Sequence, residues 1–157
     1  MIKIVKADAK ADIEELMSIR LEMLRIVNGM SDTECFDETL VSCSREYFLN
    51  GNQTTVLAKD EGRVIGCASI SYITVMPTYD HPTGKRAHLM NVYTNIAYRR
   101  QGIAGKMIRL LIDEAKKLGC TEISLDATKE GKPLYENLGF TANDAGMIME
   151  LKVRWLI

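Results

Sequence analysis

Apolar and polar residues change period along this chain, and the changes mark out its elements. Residues 2–7, IKIVKA, alternate as an edge or half-buried strand does, and from about Asp12 the apolar set Ile13, Leu16, Met17, Ile19, Leu24 and Val27 takes helical spacing. That first helix is expected to stop near Asn28-Gly29. The stretch SDTECFDETLVSCSREYFLNG predicts a second helix, with Asp37 as N-cap and Asn50-Gly51 as its break. TTVLAKDEGRVIGCASISYITV then reads as a hairpin, two β-rich runs around Asp60-Glu61-Gly62.

A polar excursion, MPTYDHPTGKR, precedes a further strand, AHLMNVYT. From Gly102 the positions Ile103, Met107, Leu110, Leu111, Ala115 and Leu118 line one face of a helix closed by Gly119. TEISLDA follows as a strand and GKPLYENLGF as a short helix that tolerates Pro133 in its first turn, and the alternating run GMIMELKV closes the chain as a last strand. The order β, two helices, three strands, helix, strand, helix, strand predicts a mixed α/β fold: one mixed sheet covered by helices on both faces.

At 157 residues the chain is expected to be a single domain over residues 1–157, with one site. Lysine plus arginine (20) nearly balance aspartate plus glutamate (21), which argues against nucleic acid or a membrane surface as partner. No leader or apolar span is legible, so the expected location is the cytoplasm. Cys35, Cys43, Cys67 and Cys120 are scattered and only two histidines accompany them, so no metal is expected and the thiols are read as reduced.

The chemistry concentrates in NIAYRRQGIAGK, Asn95 to Lys106. A helix N-terminus exposes unpaired N–H groups and about half a positive charge, so it binds phosphate where the chain can come close. Gly102, Ala104 and Gly105 keep that approach open, Arg99, Arg100 and Lys106 add charge, and a diphosphate matches. Close packing would account for the same small residues equally well. Two familiar phosphate loops do not fit: one needs glycine at Arg100 and a hydroxyl at Met107, the dinucleotide fingerprint a glycine at Met107.

Two motifs in order do fit a known pattern: Arg99-Arg100-Gln101-Gly102-Ile103-Ala104, matching R/Q-x-x-G-x-G/A, and downstream Tyr135-Glu136-Asn137-Leu138-Gly139-Phe140. On these the chain resembles the GNAT superfamily, the acyl-CoA-dependent N-acyltransferases, in detail over its second half and in element order over residues 1–60. The resemblance implies a twisted, mostly antiparallel sheet with a splayed pair of central strands. It implies acetyl-CoA or another acyl-CoA as acyl donor, with backbone groups of Val92 and Thr94, flanking Tyr93, pairing to the pantetheine arm and amides from Gln101 to Lys106 holding the pyrophosphate. Many members carry asparagine and alanine seven and four residues before the motif tyrosine; here Thr128 and Gly131 stand there, and Thr128 is the corresponding cofactor contact.

Acyl transfer needs a neutral amine, and an alkylamine of pKa ~10.4 costs about 4.6 kcal/mol to deprotonate at pH 7. Tyr135 is the family's usual proton donor to the coenzyme A sulfur, acting as a hydrogen bond to developing charge, and a backbone N–H near Val92 to Thr94 polarises the carbonyl. No carboxylate stands on AHLMNVYT. Asn91 and Tyr93 share a face by alternation, and Asn91 and His88 are substrate-side candidates, with ordinary core polarity as the competing account. Asp32, Glu34, Asp37 and Glu38 cluster between the first two helices, read first as a solvated helix start. The expectation is an N-acetyltransferase acting by direct attack in a ternary complex on a small-molecule or protein amine, with a homodimer among the admissible assemblies. A non-catalytic acyl-CoA-binding or sensing module is the alternative.

Overall fold

Each change of period becomes an element. Strand β1 (Ile2–Lys6) leads into helix α1 (Ala9–Val27), which starts three residues ahead of the apolar pattern. The cause is a cap: the Asp8 carboxylate accepts from the amides of Lys10 and Ala11, while Asp12 accepts from the amide of Asp8 at 2.8 Å. Helix α2 (Glu38–Asn50) is capped in the same way by Asp37, which takes the amides of Thr39 and Leu40 at 2.7 and 3.3 Å.

Strands β2 (Gln53–Asp60) and β3 (Arg63–Thr74) meet at a two-residue turn, Glu61-Gly62, in which both residues have positive φ, as the twist of a tight hairpin demands. Then come β4 (Lys85–Thr94), a 3-10 turn at Ile96–Tyr98, α3 (Ile103–Lys117), β5 (Ile123–Ser124) and α4 (Lys132–Asn137). The computed structural model describes residues 1–152, which form two compact units, Met1–Asp126 and a second starting at Ala127.

The first unit holds a sheet of order β1-β2-β3-β4-β5, antiparallel throughout except for the parallel β4–β5 pair. Alternation sends Leu57, Cys67 and Tyr93 to one face, where Leu16, Ile19 and Met23 of α1 and Phe48 of α2 cover them. The other face carries Val56, Ala58, Ala68 and Ile70 towards Met107, Ile108 and Leu111 of α3, all fully buried. Helices thus cover both faces. Among the described residues no helix is long and apolar enough to cross a membrane.

Two strands depart from expectation. TEISLDA contributes only Ile123 and Ser124, paired with Ala87 and His88, because the ladder ends where β4 approaches a bulge. The run from Gly146 forms no ladder through residue 152, and Met147, Ile148, Met149 and Leu151 are largely exposed; Val153 lies outside the described residues. Alternation supplies the side-chain pattern of a strand but not its hydrogen bonds, which need a partner edge.

In the second unit Pro133 stands in the first turn of α4, where a missing N–H costs nothing. The Tyr135 ring meets Phe140 edge to face, centroids 6.0 Å apart. A Cβ at Gly131 would lie 3.3 Å from that ring and 3.2 Å from Thr128 Oγ1, so glycine rather than the alanine common elsewhere leaves this turn its room.

Leu111 is fully buried between α3 and the sheet. Leu111→Ala is expected to destabilise the protein by about 2–5 kcal/mol in urea unfolding, and a loss under ~1 kcal/mol would show that this face is not close-packed.

Candidate active site

Strand β4 carries one residue more than β3 across their central pairing: Ser69 faces Met90 and Cys67 faces Tyr93, so Ala68 alone opposes Asn91 and Val92. Asn91 absorbs the extra residue in a left-handed conformation, φ 59°, which asparagine tolerates better than most residues. The Cys67 thiol donates to the Asn91 carbonyl at 3.3 Å and fixes the bulge.

The bulge changes which residues face outward. Before it, the amide of Ala87 donates to the carbonyl of Glu122, towards β5; after it, the amide of Asn95 donates to Ile65, towards β3. Two-residue alternation then turns Tyr93 towards Cys67 and leaves the backbone groups of Val92 and Thr94 on the outer edge, which β5 does not reach. The β4–β5 ladder stops at His88 and Ser124, short of the bulge.

Beyond Thr94 the chain is pinned at several points. Asn95 Oδ1 caps the 3-10 turn through the amide of Ala97, and its Nδ2 donates to Glu22 at 3.4 Å. The Tyr98 hydroxyl donates to Asp60 at 2.9 Å, and Arg99 Nε donates to the Thr94 carbonyl at 3.0 Å. Arg100 (φ 63°) and Gly102 (φ 75°) are both left-handed, on either side of Gln101. Left-handed residues alternating with others point successive amides to one side and make an anion-binding concavity.

Helix α3 begins at this turn without the device that starts the other long helices. Gly102 offers no side-chain cap, the first turn holds no acidic residue, and Lys106 stands in it. Among the described residues the amides of Arg100 to Gly105 find no backbone acceptor outside the helix ladder, whereas Lys106 returns to the Gly102 carbonyl. Gln101, Gly102 and Lys106 are exposed and Ala104 is half-buried; Ile103 and Gly105 are buried, so these two offer an anion their amides and not their side chains.

A cavity of about 230 Å³ opens between α1, α2 and the β3–β4 bulge. Leu40, Tyr47, Phe48 and Met90 form its apolar wall, with Cys43 and Ser44 beside them. At one end the half-buried Arg20 donates from Nη1 to Asn91 Oδ1 at 3.1 Å. Asn91 Nδ2 donates to Ser69 Oγ at 3.1 Å, Ser69 and Thr55 hydroxyls meet at 2.6 Å, and Thr55 donates to Gln53 Oε1 at 2.7 Å. Gln53 Nε2 ends the chain on the Phe48 carbonyl. Since Thr55 donates onward, Ser69 donates to Thr55, and every member has one fixed direction.

Burial lowers the Arg20 guanidinium from its ordinary value and raises the Tyr47 phenol, whose hydroxyl sits 2.7 Å from Ser71 Oγ. Burial, helped by the neighbouring Glu22 carboxylate, pushes the Tyr93 phenol up to about 12, and burial likewise holds the Cys67 thiol at about 12 despite Arg20. The Tyr93 hydroxyl and Thr94 Oγ1 are buried without a hydrogen-bond partner among the described residues.

The structure thus gathers Val92, Thr94 and residues 99–106 along one continuous stretch, with Asn91 at the adjoining cavity. Tyr93 lies beside them with its ring in the core. His88 stands apart from the cavity wall, its Nδ1 2.8 Å from Ser124 Oγ and Nε2 3.8 Å from Asp126. In the second unit Thr128 Oγ1 accepts from the Gly131 amide at 3.1 Å, and burial raises the Tyr135 phenol. The acidic cluster is absorbed locally: Asp37 caps α2 and Glu34 accepts from the Ser31 amide. No cluster of His, Cys, Asp and Glu suited to a metal occurs among the described residues. Sequence reading passed over Arg20 and Tyr47; a charged residue one turn beyond Leu16 on the apolar stripe of α1 was the available signal.

Residues 13–140 match the Acetyltransferase (GNAT) family. A glucosamine 6-phosphate N-acetyltransferase of Arabidopsis thaliana is 31% identical over 121 residues, 77% of this chain and 78% of that protein. The namesake from Trypanosoma brucei brucei is 29% identical over 90 residues, which span 57% of this chain and only 59% of that relative. Among solved structures, a predicted acetyltransferase from Clostridium acetobutylicum, crystallised with acetyl-CoA, has a TM-score of 0.82 and 33% identity, covering 96% of both chains.

Nothing lies within 4 Å of a Cβ built on Gly102, so a substitution there is opposed by φ alone. Gly102→Ala is expected to cost about 1–2 kcal/mol in urea unfolding and Gly102→Asn clearly less; equal stability of the alanine variant would show that the turn is not held left-handed.

Proposed function

The chain belongs to the GNAT acetyltransferase family and is an N-acetyltransferase, and on that premise we propose that it moves an acetyl group from acetyl-CoA to a primary amine by direct attack in a ternary complex. The observation that carries this reading is the start of α3, where free amides meet Arg99, Arg100 and Lys106 but no acidic residue or side-chain cap. An anionic diphosphate supplies what Asp8 and Asp37 supply to α1 and α2. The single-domain reading of residues 1–157 goes with this proposal, supported by a family match from 13 to 140. The cytoplasm is the proposed location.

Acetyl-CoA supplies an activated thioester, from which amine nitrogen displaces sulfur: an N–C bond forms, the C–S bond breaks, and an amine proton balances the released thiol. The residues of the chain do the rest. Amides from Gln101 to Gly105 bind the pyrophosphate, with Arg99, Arg100 and the Lys106 side chain as flanking charges; the Lys106 amide, counted with them from sequence, is taken by the Gly102 carbonyl. The open edge at Val92 and Thr94 takes the pantetheine arm as an added strand would. Val92 N–H lies on that edge and meets the negative charge developing on carbonyl oxygen, a donor already fixed by the bulge. Tyr135 is the proposed hydrogen-bond donor to the departing sulfur, and its raised phenol keeps the proton at neutral pH. Thr128 is the accompanying contact carried by the resemblance.

Direct attack is favoured over an acyl-cysteine relay at Cys67, which stands beside the bulge fully buried with its thiol held at about 12. A binding-only module has family membership against it, together with a cavity placed at the strand edge where an acceptor is needed. The relatives' names bring an amino sugar into the panel of acceptors to be tried.

Thiol release from acetyl-CoA across a panel of amines tests the proposal. Acceptor-dependent release, with initial-rate lines that intersect rather than run parallel, is the expected result; tight acetyl-CoA binding without release for any amine would return the protein to the binding class. In the same assay Tyr135→Phe is expected to lower kcat more than about tenfold with little change in coenzyme A affinity, and an unchanged kcat removes Tyr135 from the mechanism.

A further inference from the structure

Arg20 stands in an unusual electrostatic position. It is half-buried, its charge is opposed by desolvation, and among the described residues its one polar contact is the neutral amide of Asn91. Two other cations beside these helices have carboxylates: Arg45 pairs with Glu14 at 2.9 Å and Lys59 with Glu15 at 3.1 Å. Tyr47 and Cys67, the titratable groups facing Arg20, are held in their neutral forms. A guanidinium has five N–H donors in a planar fork, and only one is engaged here. A partly desolvated cation with free donors and no counter-ion is costly unless an anion joins it.

The cavity beside it restricts what that anion is attached to. Of its hydroxyls, Tyr47 is committed to Ser71 and Ser69 to Asn91 and Thr55, which leaves only Ser44 without a partner among the described residues. What remains is mainly apolar wall, Leu40, Phe48 and Met90. A polyhydroxyl body would leave most of its hydroxyls without partners there, which opposes its binding. At 230 Å³ the space also falls below the ~300–1,000 Å³ of sites for larger ligands. Arg20 reaches the strand at Asn91, one residue from the proposed carbonyl donor Val92. Carboxylate and acceptor amine must therefore be close together in the ligand.

We propose that the acceptor is an apolar α-amino acid, with its carboxylate on the Arg20 guanidinium, its side chain against Leu40, Phe48 and Met90, and its amine directed to the open edge at Val92. This assignment rests on the N-acetyltransferase reading above and adds the acceptor class to it. The chain of hydrogen bonds from Arg20 through Asn91, Ser69, Thr55 and Gln53 to the Phe48 carbonyl holds the guanidinium in place before the acceptor arrives, so little ordering is left to the binding step.

Three acceptors separate the possibilities in the thiol-release assay: L-leucine, 3-methylbutylamine, which is the same body without the carboxylate, and glucosamine 6-phosphate. L-Leucine is expected to exceed the bare amine about 100-fold in kcat/KM, a preference that Arg20→Gln reduces to within roughly threefold and Arg20→Lys retains in part. A bare amine or sugar phosphate used as well as L-leucine overturns the assignment. Calorimetry of N-acetyl-L-leucine on protein loaded with coenzyme A keeps the two readings apart. If no amine releases thiol, the transferase reading fails, while binding that Arg20→Gln abolishes still supports the carboxylate site. No binding of N-acetyl-L-leucine to the unaltered protein rejects that site.

Discussion

A helix whose first amides have nothing to bind is the constraint from which the rest of this structure follows. Helices α1 and α2 close their N-termini with aspartates supplied by the chain; α3 begins at a bare glycine with a lysine in its first turn. Such a start is unfavourable in isolation, because the macrodipole and the orphan donors both call for negative charge. It persists because the turn is pinned elsewhere, by Tyr98 on Asp60 and Arg99 on the Thr94 carbonyl, and because α3 buries Met107, Ile108 and Leu111 on the sheet. Packing holds the helix where its own terminus would not.

The bulge at Asn91 solves a second geometric problem. A regular β4 would keep the outward parity set at Ala87 and present Leu89, Asn91 and Tyr93 to the open edge; one extra residue transfers that role to Val92 and Thr94. The same irregularity aims the Asn91 side chain at Arg20 and Ser69, so the open strand edge and the adjoining cavity are set by one left-handed residue.

How much of this was legible in the sequence depends on the range of the interaction. Local signals transferred well: the aspartate cap of α2, the Glu61-Gly62 turn, and the apolar face of α3 all appear where spacing put them. The glycine turn was legible as well, though its reason shifted, since Gly102 serves conformation more than clearance. What stayed hidden depends on distant partners. The alternation in GMIMELKV could not say whether an edge would receive it, and Asn91 does not announce a bulge. The place of Arg20 at a cavity is set by Asn91, seventy-one positions away in the chain.

The central claim is that the amides opening α3 grip a diphosphate. Amide chemical shifts of isotopically labelled protein, followed while coenzyme A and then pantetheine are added, test it most directly. The account predicts large shifts at Gln101 to Gly105 with coenzyme A and none there with pantetheine, which lacks the diphosphate. Coenzyme A binding that leaves those amides unmoved would contradict it.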